Sequence, residues 1–406
     1  MRTDSYSSAS ERLVFLDWVR IGAFGLLVFY HVGMYYVTWD WHVKSPHASV
    51  WLEPWMRLTS PWRMNLLFLV SGAATACMLA RSGATRALLA TRARRILLPL
   101  LFGMLVVVPP QSWLEVSYKL GYTGSLVDFM RLYLAAYGGF CFAPGKCLVL
   151  PTWNHLWFLP YLFAYTLLLW LLLRRNPGLL ERLATRLPQA LAGPRLLLWP
   201  IVLLLLTRAL LRPLFPETHA FADDWFAHSQ YAMIFLLGAA GARVPALWLG
   251  MAHYRWLALG LALAAWALLV LGQLPPWADS VLLRPLLFTT QQWCAIVAAL
   301  GFARLHLNRD SVLLRTLTDA VFTLYILHQT VIIVLTRLLA PWQLAPPAEG
   351  LLLVLATFSL CLLGYAVIRR LRWARPLFGL QMRAPQVGPP KPLAVGPVAP
   401  ASLPRA

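Results

Sequence analysis

Arg20 and His31 share one apolar stretch, LDWVRIGAFGLLVFYHVG. On a helix, the eleven steps between them bring the two side chains within about 20° of one face, with His31 about 16 Å further along the axis. A charged side chain deep in a bilayer costs about 2.5–3.5 kcal/mol on insertion scales, so such residues usually face a bundle interior or a watery cavity. Asp17, three residues before Arg20, can pair with it and lower that cost. Imidazole can take a proton from a hydroxyl at neutral pH or accept a group covalently. Asp17, Arg20 and His31 are therefore the catalytic candidates. The competing account has Arg20 snorkelling to the nearer interface and His31 packing the helix.

Three further sets could join them. Arg92 and Arg95 in TRARRILLP form an Arg-x-x-Arg pair at the expected start of a span, where guanidinium groups and free helix N–H groups suit phosphate. They serve equally well as topology anchors. NHLWFLP carries His155 and Trp157 at the start of another apolar run. LYILHQ places Tyr325 and His328 three apart on one face. Arg63, Arg208, Gln291 and Gln292 add polar groups inside apolar segments and point to a polar interior or pore. No nucleophile elbow, phosphate-binding glycine loop or His-Glu-x-x-His motif is present. No His/Cys set has metal-ligand spacing, so no metal is expected.

These residues must be positioned by helices in a membrane. The chain has 406 residues, of which 60% are hydrophobic and only 12% charged, with a mean hydropathy of +0.64. A water-soluble protein of this length could not hide so much apolar surface. The fold class is an all-α polytopic bundle, with spans expected at about 13–37, 60–80, 95–116, 155–173, 196–212, 228–249, 255–274, 281–303, 319–340 and 350–371. With both ends cytoplasmic, 24 of the 35 Lys and Arg residues fall on the cytoplasmic side, seven on the outer side and four within spans. That split follows the positive-inside rule, so the net charge of +20 reflects orientation and not nucleic-acid binding. Residues 1–10 read as a cytoplasmic N-terminus with no cleaved signal, 11–372 as one membrane domain, and 373–406 as a cytoplasmic tail whose proline-rich part, from Ala384, is expected to be extended.

Two outer segments exceed simple turns. Residues 38–59 are rich in Trp and His, and 117–154 contain YLAAYGGF. Interfacial aromatics account for such a composition, and a sugar-binding surface would look similar. Cys141 and Cys147 can close a disulfide across Pro144-Gly145 or stay reduced. Cys77, Cys294 and Cys361 read as small packing residues.

The motifs together resemble the acyltransferase 3 family of membrane acyltransferases, over about 11–372. LDWVR followed by His31 is similar to its Arg-x10-His signature, NLLFLVSGA with Ser71-Gly72 to its second span, and TRARRILLP to its Arg-x-x-Arg segment. HLWFLP resembles its fourth-span segment and LYILHQ its late Tyr–His segment, in the same order. TWDWHVKSPHASVW and Arg63-Met64 resemble the subgroup that succinylates osmoregulated periplasmic glucans, although Gln329 stands where that subgroup is expected to carry a second His. No SGNH-type hydrolase domain follows the last span, which disfavours the two-domain O-acetylating branch.

The resemblance implies an enzyme of a bacterial inner membrane. Its donor would be acyl-coenzyme A (succinyl- or acetyl-coenzyme A), with no permanently bound cofactor, and its acceptor a hydroxyl of an extracytoplasmic carbohydrate. His31 would be general base or covalent relay, supported by Arg20 and Asp17. Arg92, Arg95 and Arg63 would hold the donor, and His155, Trp157, Tyr325 and His328 would shape the cavity. A proton-coupled transporter or flippase would also need buried Arg and His.

Overall fold

A computed structural model of the chain describes residues 13–272 and 282–382. The helices, in order, are α1 (Val14–Tyr36), α2 (Glu53–Thr59), α3 (Arg63–Ser82), α4 (Arg86–Phe102), α5 (Pro109–Leu120) and α6 (Leu126–Leu134). After them come α7 (Phe158–Arg175), α8 (Leu179–Ala190), α9 (Arg195–Leu211), α10 (Trp225–Gly241) and α11 (Pro245–Leu271). The last three are α12 (Leu283–His306), α13 (Val312–Leu339) and α14 (Pro346–Ile368). Two short antiparallel strands, β1 (Cys141–Ala143) and β2 (Lys146–Cys147), form a hairpin that the Cys141–Cys147 disulfide closes.

Among the described residues, seven helical segments are long and apolar enough to cross a membrane, or up to nine if each of two bent pairs is one span. The all-α polytopic bundle is as expected, with seven to nine of the about ten expected spans passing that test among the described residues. The expected span 228–249 stops at Gly241, because the chain turns at 242–244 and Pro245 opens the next helix. The span at 95–116 is also broken. Pro99 lies inside α4, a π-turn follows over Gly103–Val107, and Pro109 and Pro110 begin α5 at an angle of 40°. Proline supplies no N–H to the preceding turn, so the ladder cannot continue. Other groups take up the carbonyls loosened there: the Tyr133 hydroxyl lies 2.8 Å from the Met104 carbonyl, and Thr330 Oγ1 donates to the Val107 carbonyl at 2.7 Å.

The main core joins α1, α3, α7, α10, α12 and α13 through fully buried side chains such as Phe15, Phe68, Leu159, Phe235, Trp293 and Ile326. A second core gathers Val32, Tyr36, Met56, Ile333 and Leu353 at the end of the bundle that carries residues 38–59, and a third lies under the hairpin. Tyr36 donates to Glu349 Oε2 at 2.7 Å, tying the end of α1 to the first turn of α14.

The end of α1 is closed by the loop that follows it. The Lys44 ammonium donates to the Met34 and Val37 carbonyls at 2.6 and 2.7 Å, while the backbone N–H groups of Ser45 and Ser49 take those of Tyr35 and Tyr36. The carbonyls a helix leaves open at its C-terminus are thus satisfied by one loop, which holds Trp41 and His42 in place. Burial pulls the Lys44 pKa down to about 8.

Residues 1–10 lie outside the described residues, as does the proline-rich part of the 373–406 segment from residue 383 onward. Of that segment, the described residues include a 3₁₀ turn, Arg375–Phe378, whose Phe378 packs on Phe102 of α4.

Gly72 and Gly238 explain how α3 and α10 approach. A Cβ on Gly72 would strike the Phe235 carbonyl, and one on Gly238 the Leu69 carbonyl. Neither backbone can move aside, and small residues at such crossings are what allow close helix packing in membranes. Gly72→Val and Gly238→Val should each lower the thermal unfolding midpoint of the detergent-solubilised protein, overpacking costing about 1–3 kcal/mol or more. Gly22→Ala, where a Cβ meets nothing within 4 Å, should leave the midpoint unchanged or raise it.

Candidate active site

His31 of α1 and His328 of α13 meet inside the bundle. Nδ1 of His31 lies 2.9 Å from Nε2 of His328, with the rings stacked at 5.0 Å, and Trp41 stacks on His31 at 6.4 Å. The proton arrangement follows from the last partner. Nδ1 of His328 is 2.7 Å from the Tyr325 carbonyl, which can only accept. His328 therefore carries its proton on Nδ1, its Nε2 accepts from His31 Nδ1–H, and the lone pair of neutral His31 is left on Nε2. Of the three clustered histidines, His31 is the partly accessible one, while His155 and His328 are buried.

His155 is held differently. Its Nε2 donates to the Ile326 carbonyl at 3.0 Å, and its Nδ1 accepts from Gln111 Nε2 at 3.3 Å. Both ring nitrogens are engaged, so the imidazole serves packing and hydrogen bonding. The Tyr325 hydroxyl donates to the backbone carbonyl of His155 at 2.7 Å and so joins α13 to the turn before α7.

Gln111, placed by the break between α4 and α5, is the hub of a longer chain. Its Oε1 accepts from Asn154 and Gln329, each at 3.1 Å, and its Nε2 also donates to Thr330 Oγ1 at 2.6 Å. Gln329 donates to His42 Nε2 at 2.9 Å, which places the His42 proton on Nδ1, facing Glu115 Oε2. Lys119 then bridges Glu115 and Asp40, at 2.8 Å to each. A buried polar network is costly unless its members are satisfied, and this one is bonded from His155 to Asp40.

At the opposite end of the bundle Arg20 pairs with Asp17 at 3.1 Å, and Arg92 reaches Thr75 Oγ1 at 3.3 Å. Arg20 and Arg95 lie close enough for their charges to act on Arg92, so the three form one cationic cluster. Between this cluster and the histidines runs a slot of about 210 Å³, lined by α1 from Ile21 to Val28, by α13 from Leu317 to His328, and by Phe358 and Leu362 of α14. Its walls are apolar except where Tyr325 and His328 meet it. The eleven helical steps from Leu317 to His328 measure about 16 Å along α13.

The family model for the acyltransferase domain of the acyltransferase 3 family matches residues 13–366. The chain belongs to the acyltransferase 3 family. Neither the curated proteins nor the solved structures compared with it gave a match.

For an acyltransferase 3 protein, the placement of the expected residues divides as follows. His31, His155, Tyr325 and His328 come together, and Asp17, Arg20, Arg92 and Arg95 form the other pole. Arg92 and Arg95 are not at a helix N-terminus: α4 is capped by Thr85, so the N–H groups around them lie inside the helical ladder and the guanidinium groups alone could hold phosphate. Arg63 does not join them. It opens α3 at the histidine end, twelve residues or about 18 Å from Thr75, with its guanidinium 3.2 Å over the Tyr30 ring. It is buried, near enough for its charge to act on His31, and its Nε and Nη1 have no hydrogen-bond partner. Trp157 turns away from the histidines and stacks on His219 at 3.8 Å. Arg208, Gln291 and Gln292 do not line one pore with Arg63: Gln291 braces the Arg57 carbonyl at 2.9 Å and Gln292 bonds Gln230 at 3.2 Å.

Sequence reasoning missed Gln111, Glu115 and the part played by His42. The available signals were the histidines of the 38–59 segment and a glutamine and a glutamate spaced i, i+4 after the double proline. Histidine-selective ¹⁵N labelling checks the proton arrangement. His31 and His328 should show the Nδ1–H tautomer and His155 the Nε2–H tautomer, whereas Nε2–H on His31 would reverse the chain.

Proposed function

We propose that the protein moves an acyl group, succinyl or acetyl, from acyl-coenzyme A to a hydroxyl of a carbohydrate on the far side of a bacterial inner membrane, with both termini cytoplasmic. The observation that carries this reading is the slot that runs along α1 and α13 from Ile21 and Leu317 to His328, with Arg20 next to Ile21 in the chain. Arg20, Arg92 and Arg95 supply charge for the coenzyme phosphates, and the slot is about as long as an extended arm reaching from there to His328. Family membership supports the acyl transfer. Donor, acceptor and orientation are this proposal's own, and the succinyl option rests on the likeness of TWDWHVKSPHASVW and Arg63-Met64 to glucan biosynthesis protein C.

In the proposed reaction the acceptor O–H gives its proton to Nε2 of His31 as its oxygen bonds to the thioester carbonyl carbon. The carbon–sulfur bond then breaks, and the leaving thiolate takes the proton back from His31. His328 accepts from Nδ1–H throughout, so the charge that develops on His31 has a partner, and its own Nδ1–H stays anchored on the backbone. The unpartnered N–H groups of Arg63 are suited to the oxyanion. The same Nε2 lone pair could take the acyl group itself before the acceptor arrives.

Purified protein supplied with labelled acyl-coenzyme A and periplasmic glucan tests this directly. His31→Gln should lower transfer by roughly 10²–10⁴ with insertion intact, while His155→Gln and His328→Gln retain measurable activity. A His31→Gln protein that acylates at near wild-type rate would remove His31 from the mechanism. Movement of carbohydrate with no new ester would identify a transporter instead. A mass increase of one acyl group on the wild-type protein without acceptor, absent in His31→Gln, would mark the covalent route.

Replacing Arg92 and Arg95 together by Ala should weaken acyl-coenzyme A binding at least tenfold, since one charge-assisted hydrogen bond is worth about 1.5–3 kcal/mol. Equal affinity of variant and wild type in a direct binding measurement would reduce both to orientation signals.

A further inference from the structure

A second concentration of positive charge lies at the histidine end of the bundle, among residues that do not line the slot. Two adjoining cavities, of about 600 and 420 Å³, share Arg208, Arg212 and Pro285. Arg57 and Arg284 complete the set, and Glu217 is the one carboxylate among the described lining residues. Arginine is scarce at this end, which is the end that carries the few outer cations of the loop-charge pattern. Three of those few, with Arg208 from inside α9, converge on a single place.

Arg208 is built into position. Its guanidinium lies 3.6 Å over the Phe288 ring and 5.3 Å from that of Phe226, only 7% of the residue is exposed, and its Nε has no hydrogen-bond partner. Flat contact with aromatic rings fixes the plane of a guanidinium without using its N–H groups. Glu217 does not use them either. Its carboxylate accepts from Tyr231 at 2.6 Å and pairs with His219 at 3.3 Å. Although burial alone would raise its pKa, those partners and the charge of Arg208 hold it down at about 2. Arg57, Arg208 and Arg212 therefore bring three guanidinium groups to a lining whose described carboxylate, Glu217, is already occupied.

The walls point to the kind of anion. Leu269, Val270 and Phe288 line the same cavity, and the adjoining turns of α11 and α12 expose Leu268, Leu271, Leu282 and Leu286. Exposed leucines on spanning helices face hydrocarbon, so the arginines sit where a lipid-facing wall meets the head-group region. A ligand with a phosphate at one end and acyl chains at the other matches both surfaces. We propose that this cavity binds the head group of an anionic phospholipid, with phosphate on Arg57, Arg208 and Arg212 and the chains along the ends of α11 and α12. A zwitterionic head group brings a cation toward guanidinium groups and should be disfavoured. The proposal needs no assumption about acyl transfer.

The test uses the full chain, delipidated in non-ionic detergent and titrated with phosphatidylglycerol or phosphatidylcholine while thermal unfolding is followed. Phosphatidylglycerol should raise the midpoint saturably, and native mass spectrometry should show one retained molecule; phosphatidylcholine should do neither. Arg57→Gln with Arg212→Gln, both at exposed positions, should shift the phosphatidylglycerol titration by about tenfold or more. Arg131→Gln, an exposed arginine of the 117–154 segment, should leave it unchanged. Equal effects of the two lipids, or a phosphatidylglycerol response that survives the double substitution, would overturn the proposal. Full competition by soluble glycerol phosphate would also overturn it, marking a phosphate site that does not need the lipid.

Discussion

A single hydrogen bond between two imidazoles, His31 Nδ1 to His328 Nε2 at 2.9 Å, decides which nitrogen of His31 keeps its lone pair. Two neutral rings in contact can share one proton in either sense, and the choice is made by the backbone of α13. The Tyr325 carbonyl accepts from His328 Nδ1, and a carbonyl cannot reverse that role. The polarity of the pair is thus inherited from the backbone of a helix. A side-chain partner could rotate and leave the lone pair of His31 undefined.

The elements that surround the pair are the irregular ones. The loop that closes α1 lays Trp41 on His31, and the break at Pro109-Pro110 re-aims α5 so that Gln111 and Glu115 face inward. Continuous helices would have carried both glutamine and glutamate at positions fixed by the preceding spans. A π-turn and two prolines free that constraint locally, and Tyr133 and Thr330 take up the carbonyls the break releases. Irregular backbone inside a membrane bundle is tolerated where protein groups satisfy it, and here it also positions the network.

The sequence was most legible where one helix sufficed. Arg20 and His31 on one face, Tyr325 and His328 three apart, and the apolar runs all follow from helical period and hydropathy. What it could not show was which helix ends share space. Arg63 reads as a cation inside the second span and is grouped with Arg92 and Arg95 for the donor, yet α3 runs with Arg63 beside Tyr30 and with Thr75 beside Arg92, so Arg63 and Arg92 occupy opposite poles. Gln329 reads as the missing second histidine, whereas in the fold its amide links His42 to Gln111. Trp157 is one residue from the start of α7 and two from His155, and a 3₁₀ turn is enough to send the two rings to different clusters. The pairing of Cys141 with Cys147 was open in the sequence and is formed in the hairpin.

Polar satisfaction separates the parts of this interior that hold it together from the parts that can act on something else. The chain from His155 to Asp40 bonds each member to another, and so it stabilises without inviting a ligand. Arg63 and Arg208 break that pattern: both are buried, both lie over aromatic rings, and both keep N–H groups without a partner. Leaving a buried charged donor unmatched costs more than an ordinary lost hydrogen bond. Ring contact holds a guanidinium in place while leaving its edge unused, which is the arrangement that receiving an anion requires. The two arginines differ in what lies beside them. Arg63 adjoins the imidazole whose lone pair is exposed, where negative charge would develop in a reaction, and Arg208 adjoins hydrocarbon-facing leucines, where negative charge arrives on a lipid.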